Sequence, residues 1–582
     1  MTLPPSRASR PALERRPVFV AALVLLVGLG FAAELRSYAR PDTGFLLDAA
    51  ARLLGGARLY TDIVEINPPL IVLLNVPAVV VGGGLGLSDI LVYRVGCALT
   101  LLGLLALAAV WLRRTLPDER ARRRLVLLLA FAYFPLAGQD FGEREHLVVA
   151  CLVPFLLLGA SRALRREVGR ADAVVVGLLA GLALALKPHF AVVWLLVTGY
   201  LVLKRRVPPA RLVPETAAVA GFLAAYGIVV VVFFPQYFGL VRLLAVPYGQ
   251  FLYDSFFHLL VTGPGAALTL FALLAVLALR QHARHPEVWW LLALGTVGCF
   301  LAGAVQQKGL RYHFYPSFAL ATVLLGLVVT DVARPFPNWV RRVYHTLAVS
   351  VLGTLALVVA AQNAVQAAGA AHDAERDGLE ELVTLVRERA AGQPVFVMSY
   401  HIGSAYPLLN YSGARAASRF GHLWILAAAY ADALRADEPL RYREPAAMPP
   451  SERYLVAAVR ADLTAARPRL LIVLRHARDV PTNGYRRLDY LAYFARDPAI
   501  AAALARYRLL ANVGEYAVYE RLPEGAAPVA EAPAPVPGTQ DILTGERAGI
   551  HLRLRDPQFL MAVGIFLLVL AWAVARERRW RD

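Results

Sequence analysis

Apolar residues in this chain fall in long unbroken blocks rather than in the short alternations of a soluble core. PVFVAALVLLVGLGFAA, LTLLGLLALAAVWL, TAAVAGFLAAYGIVVVVFF and FLMAVGIFLLVLAWAVA are typical. Runs near twenty residues match a hydrocarbon core about 30 Å thick at about 1.5 Å rise per residue. The pattern predicts a polytopic α-helical membrane protein with about 12 transmembrane helices. They fall near 17–35, 89–112, 124–138, 147–161, 172–186, 190–204, 214–234, 257–280, 287–305, 314–332, 344–364 and 557–575. A further apolar stretch, 68–83, reaches only about 24 Å as a helix, and Pro77 interrupts it. It is expected to be re-entrant or to lie along the membrane surface.

Charge decides that point. With a cytoplasmic N-terminus and a non-spanning 68–83, the basic segments RRTLPDERARRR, SRALRREVGR, LKRR, RQHARH, NWVRR and RERRWRD all fall inside. That is what the positive-inside rule asks; a spanning 68–83 would reverse every later loop. The net charge of +18 is therefore a topology signal, and no nucleic-acid partner is expected. The 58% hydrophobic composition and mean hydropathy of +0.54 exclude an ordinary soluble chain. The first apolar run lacks a small-residue cleavage site and is expected to remain as a helix rather than serve as a signal peptide. Cys97, Cys151 and Cys299 all lie inside apolar blocks, which supports neither a disulfide framework nor a zinc site.

The organisation that follows is a membrane region, 1–364, with a first outer loop at 36–88. An extracytoplasmic α/β domain, 365–521, comes before the last transmembrane helix. Within it PVFVMS and LLIVLR read as strands, YRLLANVGEYAVYERL as a closing hairpin, and ERDGLEELVTLVRERA, SERYLVAAVRADLTAARP and YLAYFARDPAIAAALARY as helices. A Pro/Ala-rich linker, 522–556, leads to a final helix and basic tail, 557–582.

On this topology one face collects ionisable residues, and such residues at helix ends mark a functional site by default. Asp42 or Thr43 fits the N-cap of a helix running to about Leu54, so Asp42 has a purely structural reading as well as a catalytic one. Asp48 is placed for an i,i+4 pair with Arg52. Tyr60, Asp62, Glu65 and Asn67 precede Pro-Pro and either line a site or form a solvated connector. QDFGEREH (139–146) reads as a short turn holding Asp140, Glu143, Arg144, Glu145 and His146, with Arg144 in reach of Asp140. Lys187, His189, Gln307, Lys308, Arg311, Tyr312 and His313 stand at outer helix ends. Positive-inside statistics disfavour cations there, so they suit a lipid-linked phosphate as well as snorkelling to head groups. Glu and His in the 139–146 turn could bind a divalent cation, but no motif fixes the geometry of a metal site, and no cofactor is assigned.

The stretch PDTGFLLDAAARLLGGARLYTDIVEINPPL, with the charged second outer loop and the trailing domain, resembles the GT-C glycosyltransferases. These are polytopic enzymes that use polyprenyl-phosphate sugars as donors. The stretch is similar to the bacterial branch that contains the aminoarabinose, galacturonic acid and protein mannosyl transferases. The resemblance implies that Asp42 takes the place of the catalytic aspartate, with Thr43 where the family often has a second acid. Asn67 stands where relatives commonly carry a basic residue, and Glu143 and Glu145 where they keep an acid. It implies an inverting sugar transfer from a polyprenyl phosphate to an envelope glycan, lipid or protein acceptor. The active site would face outward from a bacterial-type inner membrane. Asp42, Glu143 and Glu145 would be catalytic. Arg144, Lys187, His189, Lys308, Arg311 and His313 would hold donor phosphate, and Tyr60, Glu65, Asn67, His146 and Tyr312 would contact substrate. A lipid or solute transporter and a non-enzymatic envelope binding protein are the competing classes.

Overall fold

A computed structural model describes residues 16–332, 378–435, 440–475 and 487–527. The membrane region is all helical: α1 (Arg16–Arg36), α2 (Pro41–Leu54), α3 (Leu70–Leu73), α4 (Val76–Leu85), α5 (Asp89–Thr115), α6 (Glu119–Tyr133), α7 (Arg144–Ala163) and α8 (Arg170–Leu186). It continues through α9 (Ala191–Gly199), α10 (Val213–Phe233), α11 (Gln236–Gln250), α12 (Phe256–Thr262), α13 (Ala266–Leu279), α14 (Pro286–Ala304) and α15 (Arg311–Asp331). Among the described residues α1, α5, α7, α14, α15 and a helix ending with α10 are long and apolar enough to cross a membrane. The pair α12–α13, bent by 65°, is either a broken span, which would make seven, or a re-entrant loop. The expected helices at 344–364 and 557–575 lie outside the described residues.

Segment 68–83 does not form one spanning helix. It breaks at Leu74 and Asn75 into α3 and α4, with Asn75 Nδ2 donating to the Ile71 carbonyl at 2.7 Å. An ion pair fixes the level of the two flanking spans: Arg94 Nε sits 2.9 Å from Glu34 Oε1, the last turns of α1 meeting the first turns of α5. Segment 37–88 therefore leaves and re-enters the bundle at the same end.

Other expectations shift in detail. Helix α6 starts earlier than 124 because Asp118 caps it, accepting from the Arg120 amide at 2.9 Å. The expected turn 139–146 is helical from Arg144 onward. The 190–204 helix ends in a π-turn at Tyr200–Lys204. The 257–280 helix bends by 65° where Gly263-Pro264-Gly265 interrupts the apolar run.

Interior and lipid-facing helices separate clearly. α7, α14 and α15 are buried nearly all round, whereas α1 and α10 expose most of their apolar surface. Gly177 and Gly181, four residues apart on α8, let α10 approach: a Cβ would meet the Glu215 carbonyl at 2.5 Å and Phe222 Cβ at 2.8 Å. Small residues at this spacing are a usual means of close helix contact in lipid. Glu215 accepts from Arg162 Nε and Nη2 at 3.0 and 2.9 Å. Both groups are buried, so the pair must stay intact to offset its desolvation.

The remaining unit is a five-stranded sheet, β1 (Pro394–Met398), β2 (Arg415–Ala416), β3 (Leu470–Leu474), β4 (Tyr507–Val513) and β5 (Tyr516–Arg521), in the order β2-β1-β3-β5-β4. β1 runs parallel to both β2 and β3, while β5 is antiparallel to β3 and β4. Helices Leu379–Ala390 and Pro450–Ala466 flank it as expected. The expected helix over YLAYFARDPAIAAALARY divides in two, because Asp497 caps a new helix starting at Pro498.

Candidate active site at one end of the bundle

Helix ends gather the polar side chains, and prolines and turns decide how each is aimed. Pro41 occupies the first position of α2 with Arg40 as N-cap, and no side chain caps the helix. The N-cap reading of Asp42 and Thr43 is thereby overturned. The Asp42 carboxylate is half-buried and makes no hydrogen bond or ion pair with a described residue. Pro188 forces Lys187 into an extended conformation and ends α8 there. Gly309, at φ 63°, turns the chain into α15.

A mesh of ion pairs links these ends. Arg40 Nε lies 3.6 Å from Glu143 Oε1, and Arg311 Nε lies 3.6 Å from Asp140 Oδ2. Asp140 thus pairs with Arg311, not with its near neighbour Arg144 as the sequence suggests. Lys187 Nζ reaches Glu145 Oε1 at 2.9 Å and donates to Gln306 Oε1 at 2.7 Å. His313 Nε2 is 3.9 Å from the same Glu145 oxygen. Burial, reinforced by the Asp42 carboxylate, holds Glu143 well above the usual carboxylate range, although Arg40 and Arg144 oppose the shift.

Arg144 is the exception in the mesh. Its guanidinium is buried, its Nε has no hydrogen-bond partner, and it forms no ion pair with a described residue. The charges of Glu145, Asp42 and Glu65 and the Tyr312 hydroxyl surround it instead. His313 Nδ1, Glu143 Oε1 and Asp140 Oδ2 are likewise buried without a hydrogen-bond partner. Native proteins leave few such groups, and a cluster of them marks a place built for something else.

The other expected residues divide. Glu65 Oε1 accepts from the amide and Nδ2 of Asn67 at 2.7 and 2.6 Å, and Tyr60 donates to the Asn67 carbonyl at 2.9 Å. Burial raises Glu65 above its ordinary range, against the pull of Arg144. Tyr312 is half-buried and stacks edge-on against His313, ring centroids 4.4 Å apart. His146 Nδ1 accepts from the Gly142 amide at 3.1 Å, and its ring packs between Phe141 and Tyr315. It is a core histidine. His189 is exposed. Lys308 donates to the carbonyls of Tyr248 and Phe251 and lies over the Tyr248 ring at 4.5 Å. It closes the carboxyl end of α11, a usual place for a cation. Arg40 and Gln306 were missed. Arg40 was findable by the reasoning that singled out Lys187, since it too is a cation on the disfavoured face.

The α/β unit holds α2 from the other side. Tyr406 donates to Asp48 Oδ2 at 2.8 Å, and Asp48 also pairs with Arg52 at 3.6 Å, as its spacing predicts. Asn410 Nδ2 donates to the Gly44 carbonyl at 3.0 Å. The Val64 amide donates to the Arg419 carbonyl at 2.8 Å, forming a parallel bridge between Val64 and Phe420.

No family model and no curated protein sequence matches the chain. Solved structures do. ArnT from Cupriavidus metallidurans bound to undecaprenyl phosphate superposes with a TM-score of 0.51 at 15% identity, over 89% of this chain and 100% of that one. The archaeal oligosaccharyltransferase AglB from Archaeoglobus fulgidus, in complex with an inhibitory peptide and a dolichol-phosphate, gives 0.44 at 11% identity, over 89% and 76%. At this identity the likeness to ArnT gives the fold.

Proposed function

From that GT-C fold, we propose that this protein is a membrane glycosyltransferase that moves a sugar from a polyprenyl-phosphate donor to a hydroxyl of an envelope acceptor. The observation that carries the reading is that the Asp42 carboxylate and the Arg144 guanidinium lie within electrostatic reach of each other, and neither forms an ion pair with a described residue. Asp42 is the base. It takes the proton of the acceptor hydroxyl as that oxygen bonds to the anomeric carbon. The bond from the anomeric carbon to the phosphate oxygen breaks with inversion, and the polyprenyl phosphate leaves with that electron pair.

A phosphate leaving group needs positive charge rather than a proton. Arg144 and Lys187 supply it, and the His313 ring beside Glu145 offers a hydrogen-bond donor. Arg144 lies within electrostatic reach of Glu65, whose Oε1 is held by Asn67, and so provides the cation that Asn67 does not. Glu145 acts through Lys187 and His313, and Glu143 through Arg40, as positioning residues. Arg311 is joined to Asp140 and Lys308 to the end of α11, so both are read as supporting residues rather than phosphate ligands. The bundle end with this cluster and the α/β unit faces away from the cytoplasm in a bacterial-type inner membrane.

Purified protein in vesicles with a radiolabelled polyprenyl-phosphate sugar tests the reading. Label appearing on an acceptor supports it. Label that crosses the vesicle membrane without joining an acceptor overturns it in favour of a transporter.

A further inference from the structure

The sheet order β2-β1-β3 places a strand reversal at the carboxyl end of β1, where the chain leaves toward β2 on one side and β3 lies on the other. In open α/β sheets ligands bind in the crevice at such a point. Here that edge carries hydroxyls and imidazoles. Ser404 Oγ donates to Ser399 Oγ at 2.8 Å and accepts from Tyr516 at 2.9 Å. The Ser399 carbonyl accepts from the Leu423 amide at 2.7 Å, which ties the loop 417–423 to the same edge.

That loop bridges the charged bundle end. On one side a Cβ on Gly421 would meet the Phe45 ring at 2.9 Å, one turn of α2 beyond Asp42. On the other the His422 ring faces Phe251 with centroids 6.1 Å apart, and Trp424 contacts Phe251 and Tyr248. Phe251 and Tyr248 are the residues whose carbonyls Lys308 holds. His422 therefore stands in a roof that runs from the Asp42 helix to the end of α11.

We propose that His422, backed by the rings of Phe251 and Trp424, forms the acceptor subsite, and that it takes an uncharged, hydroxyl-bearing saccharide. This rests on the glycosyl-transfer reading. In an in-line displacement the attacking hydroxyl approaches opposite the leaving phosphate. Arg144 and Lys187 belong to the bundle, whereas His422 belongs to the loop of the α/β unit packed on the Asp42 helix, so the acceptor is assigned to the α/β side. His422 retains some exposed surface, yet surrounding protein and the neighbouring His401 push its pKa down to about 3. The ring is thus neutral, reachable from one side and packed against Phe251 on the other. A neutral imidazole offers one donor and one acceptor, which suits vicinal hydroxyls and gives a charged acceptor no counter-ion.

The test uses the full-length protein in detergent with methyl glucoside, methyl mannoside and methyl galactoside as probes, read by saturation-transfer NMR. Undecaprenyl phosphate affinity is measured in parallel. Expected is binding of at least one glycoside, weakened about tenfold in His422→Ala, the loss of one or two hydrogen bonds. His422→Gln retains binding, and undecaprenyl phosphate affinity does not move in either variant. No glycoside bound by wild type, no change in His422→Ala, or a parallel loss of undecaprenyl phosphate would each overturn the proposal. Should His422→Ala fail to fold, diethyl pyrocarbonate labelling of wild-type His422 replaces it: glycoside must protect the ring, and unprotected labelling overturns the site. Binding requires no turnover. A protein that binds glycosides at His422 but transfers no sugar contradicts the transferase reading and leaves the saccharide site standing.

Discussion

Tyr406 donates its phenolic hydrogen to Asp48 at 2.8 Å, so a side chain of the α/β unit sets the pose of the helix that carries Asp42. Hydrogen bonds to charged groups are worth about 1.5–3 kcal/mol, and this one joins two parts of the site. Tyr406→Phe is expected to lower the unfolding temperature and the rate of sugar transfer while undecaprenyl phosphate still binds. Gly44→Ala acts in the same direction, because its Cβ would meet Asn410 Oδ1 at 2.7 Å and Tyr406 Cβ at 3.1 Å. Thermal unfolding beside a transfer assay checks both.

Asp42→Asn keeps the shape of the side chain and removes its basicity. Loss of a general base typically costs on the order of 10²–10⁴-fold in rate. Because Asp42 makes no hydrogen bond or ion pair with a described residue, the substitution is expected to leave stability unchanged. Single-turnover transfer with preloaded donor separates rate from affinity. A variant that transfers at the wild-type rate removes Asp42 from the chemistry.

Arg144 and Lys308 are both buried cations, but their surroundings predict opposite behaviour. Arg144→Gln is expected to weaken undecaprenyl phosphate binding about 10- to 100-fold, the worth of a charge-assisted hydrogen bond or two. Lys308→Met removes the group that holds the Tyr248 and Phe251 carbonyls. It is expected to lower the unfolding temperature with little change in affinity. Equal affinity losses in the two variants would mean that Lys308 reaches the phosphate after all.

His422 gives a pH signature. Burial first, and His401 second, push its pKa down from 6.5 to about 3, so folding favours the neutral ring. That contribution is fully present above about 6.5 and is lost as pH falls from there toward about 3. Wild type is expected to lose unfolding temperature more steeply across this window than His422→Gln, and parallel slopes would contradict the assignment.

What was legible in the sequence follows from which contacts are local. The non-spanning 68–83 segment was readable because charge on later loops fixes it. The same logic pointed to Asp42, Glu143, Arg144, Glu145, Lys187 and His313, which the fold brings to one end. The partners of Lys308 were not legible, since the carbonyls at the end of α11 are backbone and carry no residue signature. The bend between α12 and α13 is hidden when 257–280 is read as one apolar helix, although Gly263-Pro264-Gly265 marks it. The strand β2 is only two residues long and has no periodicity to detect. The grip of Tyr406 on Asp48 spans 358 positions, beyond any local pattern.

That last separation has a consequence for how the molecule is made. Asp42 enters the membrane early in translation, when Tyr406, Asn410, Arg419 and Phe420 have not yet been synthesised. Until they are made, α2 lacks the bonds to Asp48 and Gly44, and the segment after it lacks the bond to Val64. A nascent chain stalled after α15 would carry Arg144, Lys187 and His313 and still hold Asp42 on an unsecured helix. On the proposed reading, a half-made protein has its cations before its base is held in place.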